Sequence, residues 1–338
     1  MCEKFPTEQE ISDALCRSSG EIFNMVDVLR FLNKVELNKP NHIRFICYLI
    51  GLKKMSPQRK KWIPTLLEFG EFYEKASKRY FEDCWNNPNI SSQIIQATES
   101  KLLWFQSFAC VLNIDSYYIQ DSLLRVRRIY SVYMKENSGY KFSVLHIPIC
   151  YITYLLSLSF SIDSGLSNFF AESLGYHLFS SIISIIRFSE QADHLSLTDD
   201  HYNKLKQMIH NYSPNIEKEA LRKGVDLINI AIEWETSFFT EVHCPENLLL
   251  IWDNIVFHVE EYHSFMRYLF VAHFRWMEDV GTDVGNQKSI YETKWNALEI
   301  LEDVEDLTQA ELVRGTFNYG NFCPCYACCP KLFKNWRK

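Results

Sequence analysis

A chain of 338 residues that is 47% hydrophobic and 15% aromatic, with 11 glycines and 10 prolines, has the composition of a packed globular protein and excludes disordered and fibrous classes. Its formal net charge of -7 provides no basic field for a phosphate backbone, so nucleic acid is not an expected partner. Cations concentrate only at the very end, where residues 330–338 hold Lys331, Lys334, Arg337 and Lys338 and no acid.

The first ten residues contain acids and a proline but no apolar run, so no secretory signal is expected. Reduced thiols in the cytoplasm follow as the default for the eleven cysteines, seven of them scattered and four packed together at the C-terminal end. Apolar residues then recur at helical spacing from residue 21 to residue 302, and strand-like alternation is essentially missing, so an all-α fold is expected.

In chain order, Ile22, Met25, Val26, Leu29 and Leu32 mark a first helix, and Pro40-Asn41 starts a second that Gly51 stops. A long amphipathic helix follows over 57–80, then a loop over 84–92, and further helices over 102–112, 119–135, 144–159 and 166–188. Residues 189–215 turn polar around a short helix. Two long helices over 217–239 and 246–280 come next, and one more lies over 290–302. The stretch 144–162 is about long enough to span a bilayer, but it carries His146, Pro148, Thr153 and three serines, and no Lys or Arg stands between Lys141 and Arg187 to anchor its ends. A buried core helix is the better expectation.

No Rossmann glycine fingerprint, P-loop, metalloprotease helix or nucleophile elbow is present, so no metabolic enzyme activity and no cofactor are expected. Three groups of residues carry a different signal. Ile43-Arg44 leads into Leu49-Ile50-Gly51, Trp62 and Phe72-Tyr73. Leu123-Leu124-Arg125-Val126 leads through Tyr130 and Tyr133 to Asn137-Ser138-Gly139-Tyr140. Glu233-Trp234 and Phe238-Phe239 precede the run from Asn247 to Trp252-Asp253.

In order and spacing these blocks resemble the TBC domain of Rab GTPase-activating proteins, with Arg44, Trp252 and Asp253 at motif positions of the family. The resemblance implies an all-α fold of two helical lobes and a Rab-type small GTPase as partner. In that family an Arg from an I-x-x-D-x-x-R motif and a Gln from Y-x-Q reach the nucleotide. The guanidinium stabilises charge developing on the transferred phosphoryl group, and the amide orients the attacking water.

This chain departs from both motifs. Residues 90–96 keep the spacing of the first with Gln93 at the Asp position and Gln96 at the Arg position, and Tyr140-Lys141-Phe142 keeps the spacing of the second with Phe142 at the Gln position. A neutral amide brings no charge, and an arginine finger supplies roughly 10³ to 10⁵ in rate. Two-finger catalysis is therefore expected to be weak or absent, unless Lys141 or one of Arg125, Arg127 and Arg128 supplies the cation.

Cys323, Cys325, Cys328 and Cys329 lie within seven residues, too tight for an ordinary zinc site, which pairs two separated knuckles. With the basic, aromatic end that follows, they suit reversible acylation and peripheral attachment to an endomembrane; unmodified thiols are the equal alternative. His177, His201, His210, His243, His258, His263 and His273 lack metal-ligand spacing and read as ordinary core or surface residues. The expected organisation is a helical extension over 1–40, a TBC-like domain over 41–280 and a tail over 281–338 with a helix and the cysteine-rich end. The expected role is regulation of a Rab-type GTPase in membrane traffic; the alternative is a non-catalytic helical scaffold or subunit of a trafficking complex.

Overall fold

The structure, a computed structural model, describes residues 6–18, 25–33, 41–81, 90–119, 122–190 and 195–313, which form seventeen α-helices and no strand. The chain divides into two compact units, one of Met1–Ser189 with Thr236–Glu241 and one of Glu190–Glu235 with Val242–Lys338.

The first unit holds α1 (Glu8–Ser18), α2 (Met25–Asn33), α3 (Asn41–Gly51), α4 (Trp62–Phe81), α5 (Ser92–Ser100), α6 (Leu102–Val111), α7 (Ser116–Ile119), α8 (Ser122–Glu136), α9 (His146–Ser164) and α10 (Asn168–Glu190). A capping box starts α1: Thr7 Oγ1 accepts from the Glu10 amide at 3.3 Å and the Glu10 carboxylate accepts from the Thr7 amide at 2.6 Å. The centre is α9, packed by α1, α3, α6 and α8. Being apolar all round, it suits a helix enclosed on every side, and residues 147–161 are buried apart from a marginal Ser159. The membrane-length stretch is thus a core helix. Within α10 the segment Asn168–Ile186 also has the length and hydropathy of a bilayer span, and 78% of that window is buried inside the fold. At Gly175 an added Cβ would lie 3.0 Å from the Tyr154 Cα, so α9 and α10 meet backbone to backbone there.

The second unit holds α11 (Leu195–Tyr212), α12 (Pro214–Lys223), α13 (Leu227–Thr236), α14 (Pro245–Phe257), α15 (Tyr262–Asp279), α16 (Gln287–Tyr291) and α17 (Ala297–Val313). Its centre is α15, packed by α11, α12, α14 and α17.

Four expectations need correcting here. The predicted helix over 217–239 is two helices, because Gly224 takes φ +69° and closes α12 as Val225 N donates to Ala220 O at 2.9 Å. Asp226 then restarts the chain by accepting from the Ile228 amide at 2.9 Å. The predicted helix over 246–280 is also two, broken at His258 (φ -100°, ψ 24°) and a 3₁₀ turn over Val259–Glu261. The polar stretch 189–215 contains the eighteen-residue α11 rather than a short helix. The last helix is the pair α16 and α17, with Asn296 Oδ1 accepting from the Leu298 amide at 3.2 Å where α17 begins. Most of the predicted loop over 84–92 lies outside the described residues; Ser91 caps α5 by accepting from the Ile94 amide.

Candidate functional site

The Gln96 segment is built from α5. Its inner face buries Ile94, Ala97 and Thr98, which leaves Gln93 and Gln96 exposed on the outer face. Two contacts fix the helix: Arg127 Nε on α8 donates to Thr98 Oγ1 at 2.8 Å, and Tyr151 Oη on α9 donates to Thr98 O at 2.7 Å. Arg127 also pairs with Glu99 at 3.1 Å.

The Tyr140–Phe142 segment joins α8 to α9. Asn137 ends α8 and its carbonyl accepts from the Tyr140 amide at 2.8 Å, turning the chain. Tyr140 is buried, and its hydroxyl lies 2.7 Å from Tyr130 Oη and 2.6 Å from His146 Nδ1. Tyr130 Oη in turn donates to Ser143 O at 2.8 Å, so one polar chain runs from α8 through the turn to the first residue of α9. Burial pushes both phenols above their ordinary range and keeps them neutral donors. The Phe142 ring is half-buried and meets Tyr130 edge-on at 5.7 Å between centroids, while Lys141 is exposed.

Both segments are therefore anchored on adjacent turns of the same two helices. Arg127 and Tyr130 are one turn apart on α8, and His146 and Tyr151 are about 7.5 Å apart along α9 at 1.5 Å rise per residue.

Arg125 and Arg128 are not available to a ligand on that surface. Both are buried and donate to Glu172 of α10, Arg125 at 3.2 Å and Arg128 through Nε at 2.8 Å and a second close contact from its other donor nitrogen. Tyr73 of α4 donates to the same carboxylate at 2.7 Å. Glu172 has no exposed surface, so one anion holds α4, α8 and α10 together in the interior. Sequence reasoning did not single out Glu172, and it named Tyr130 and His146 without placing them at the site. A signal for Glu172 existed: it is an isolated acid inside a strongly apolar helix, where an unpaired charge would not be tolerated.

Arg44 on α3 is buried, with its guanidinium 6.0 Å from the Phe31 ring centroid. Trp252 and Asp253 on α14 are fully buried in the second unit, so they act in the framework of that unit. Cys323, Cys325, Cys328 and Cys329 lie outside the described residues.

Among the described residues no group of three or more His, Cys, Asp or Glu is placed to hold a metal ion. The closest imidazole pair is His243 and His273, whose Nε2 atoms lie 2.8 Å apart in the second unit. His273 Nδ1 donates to Leu269 O at 2.6 Å, which leaves its Nε2 to accept from His243. Burial holds both neutral, His273 down to about 4 and His243 further below its ordinary value.

The architecture is that of the TBC, or Rab-GAP, domain: all-helical, in two units. The crystal structure of the Ypt/Rab-GAP domain of Gyp1p superposes on it with a TM-score of 0.61 at 11% sequence identity, covering 91% of this chain and 100% of that one. No protein-family model matches the sequence, and no curated protein does. At that identity the likeness defines the fold.

Proposed function

We propose that this protein binds a Rab-type small GTPase on the surface carrying α5 and the Tyr140–Phe142 turn, and that it does so without two-finger catalysis. The observation that carries the reading is that both segments are held by adjacent turns of α8 and α9. By the spacing of the sequence motifs the exposed Gln96 takes the arginine-finger position, and Phe142, packed on Tyr130, takes that of the water-orienting glutamine. A fold shared along 91% of the chain with a Ypt/Rab-GAP domain supports the choice of partner. The commitment of Arg125 and Arg128 to Glu172, and of Arg127 to Thr98 and Glu99, supports the absence of a substitute cation. Lys141 is the remaining cation of the turn, a point charge without the planar fork that matches phosphate oxygens. The protein then acts in membrane traffic as a GTPase-binding regulator, held peripherally at an endomembrane by its acylated C-terminal cysteines and basic end.

The test is a binding screen of the purified chain against small GTPases of the Rab class loaded with GTP, or with GDP and a γ-phosphate transition-state mimic. At least one member is expected to bind in the GTP form, with hydrolysis accelerated less than about tenfold. Absence of binding to every member would leave the fold to a scaffold role. Acceleration by a thousandfold that survives Gln96→Ala with Phe142→Ala would show that other residues are the fingers.

A further inference from the structure

Arg267 on α15 is a half-buried guanidinium with an unusual set of partners. NH1 donates to His201 Nδ1 of α11 at 3.2 Å and NH2 donates to Ser264 Oγ at 3.1 Å. Both partners are neutral, and among the described residues no carboxylate lies within ion-pair distance of Arg267. By contrast, the buried guanidinium pair of the first unit converges on Glu172. Desolvating a guanidinium without a counter-ion is costly, and natural folds rarely leave one so. The neighbouring carboxylate, Asp200, is exposed and spent on Lys204 at 2.7 Å.

The tautomer of His201 sharpens the picture. Arginine only donates, so Nδ1 of His201 accepts and the proton sits on Nε2. His201 is 4% exposed, and its Nε2 has no hydrogen-bond partner within the protein. A second imidazole, His263, lies with its ring 5.1 Å from that of His201. On the Arg267 side the cluster thus gathers a guanidinium with three N–H groups to spare, a serine hydroxyl and the Lys204 ammonium at its rim. It holds a surplus of donors and one unbalanced positive charge.

We propose that Arg267 and Ser264, with His201 orienting the guanidinium and Lys204 at the rim, form a binding site for a phosphate-type oxyanion, carried either by free phosphate or by a phosphorylated inositol headgroup. The planar fork of Arg267 offers two parallel donors to two oxygens of one anion, and a tetrahedral oxyanion has a further oxygen for the Ser264 hydroxyl. The site lies within the second unit and does not depend on the Gln96 surface.

The experiment is thermal denaturation of the full chain at pH 7 in increasing potassium phosphate, or in increasing inositol bisphosphate, against potassium chloride at matched ionic strength. The expected result is a saturable rise of about 2–4 °C over chloride with at least one of the two, the lower half-saturation identifying the source. Arg267→Met removes the rise and is at least as stable as the wild type in chloride, because it deletes an uncompensated charge. Arg267→Lys keeps the charge without the fork and needs at least fivefold more ligand for half-saturation; it serves alone if the methionine variant does not fold. No rise over chloride in the wild type, or an unchanged rise in the variants, overturns the proposal.

Discussion

Replacing Glu172 by glutamine removes the one anion on which Tyr73, Arg125 and Arg128 converge, while changing the side-chain shape very little. Glu172 is 0% exposed, and Arg125 and Arg128 are 6% and 5% exposed, so no solvent can take over the lost pairing. Breaking a buried ion pair by removing one partner typically costs about 3–5 kcal/mol, and here two guanidiniums lose their counter-charge at once. We therefore expect Glu172→Gln to lose about 4 kcal/mol of stability. Deleting one cation leaves Glu172 its other guanidinium, so that change is milder. Of the contacts to Glu172, Arg125 makes one at 3.2 Å and Arg128 two closer ones, so Arg125→Met should cost less than Arg128→Met. Urea denaturation followed by circular dichroism measures the series. Because α8 carries the anchors of both finger segments, Glu172→Gln should also weaken GTPase binding more than its stability loss accounts for at a temperature where it remains folded. A glutamine variant within about 1 kcal/mol of wild type, or a ranking with Arg125→Met worst, would refute the electrostatic account of this core.

Tyr140→Phe deletes the hydroxyl between Tyr130 and His146 and should cost about 1–3 kcal/mol by leaving buried polar atoms without their partner, measured in the same denaturation. The folded-state value of His273, about 4, lies below its ordinary 6.5, so the unfolded chain takes up the proton first as pH falls. The stability tied to this group is present above about pH 6.5 and lost toward pH 4, about 2 kcal/mol between pH 7 and pH 5, and a His243→Leu/His273→Leu double variant should show a flatter dependence. Gln96→Arg with Phe142→Gln is expected to raise GTP hydrolysis by the cognate GTPase by about a hundredfold or more over wild type in a phosphate-release assay, and neither single change should reach the same rate. Replacing Cys323, Cys325, Cys328 and Cys329 together by serine should move the protein from the membrane to the soluble fraction of cells, and hydroxylamine should do the same to the wild type.

Some of these features could be read from residues alone, and the limits of that reading are physical. The core helices α3, α9 and α10 declare themselves because an enclosed helix must be apolar, and a run such as residues 147–161 has no other stable place in water. The break at His258 has no such marker: Trp252, Ile255 and Val256 before it and Phe265 and Met266 after it are all buried, so the apolar rhythm runs straight through a bend made by one residue's dihedrals. At Gly224 the apolar positions on both sides continue the helical rhythm, and only the positive φ and the Val225 bond end α12 there.

The candidate site divides the same way. The identities of Gln96 and Phe142 speak directly to chemistry, because an amide has no charge and a phenyl ring has no donor. Their settings do not, because they depend on partners that sequence spacing cannot place. Phe142 lies against Tyr130 because the chain reverses at Asn137, and that reversal also stacks the Tyr140 ring on His146. The arginines show the sharpest limit. Arg125, Arg127 and Arg128 are equivalent by composition, and three amphipathic positions on a helix ordinarily face solvent. What separates them is Glu172, placed 44 residues beyond Arg128 on a helix otherwise apolar. An acid with no basic residue near it in sequence cannot stay charged in a core unless the fold delivers a cation from elsewhere. Glu172 in α10 and the cations of α8 are thus two halves of one requirement, which the α8–α10 contact meets.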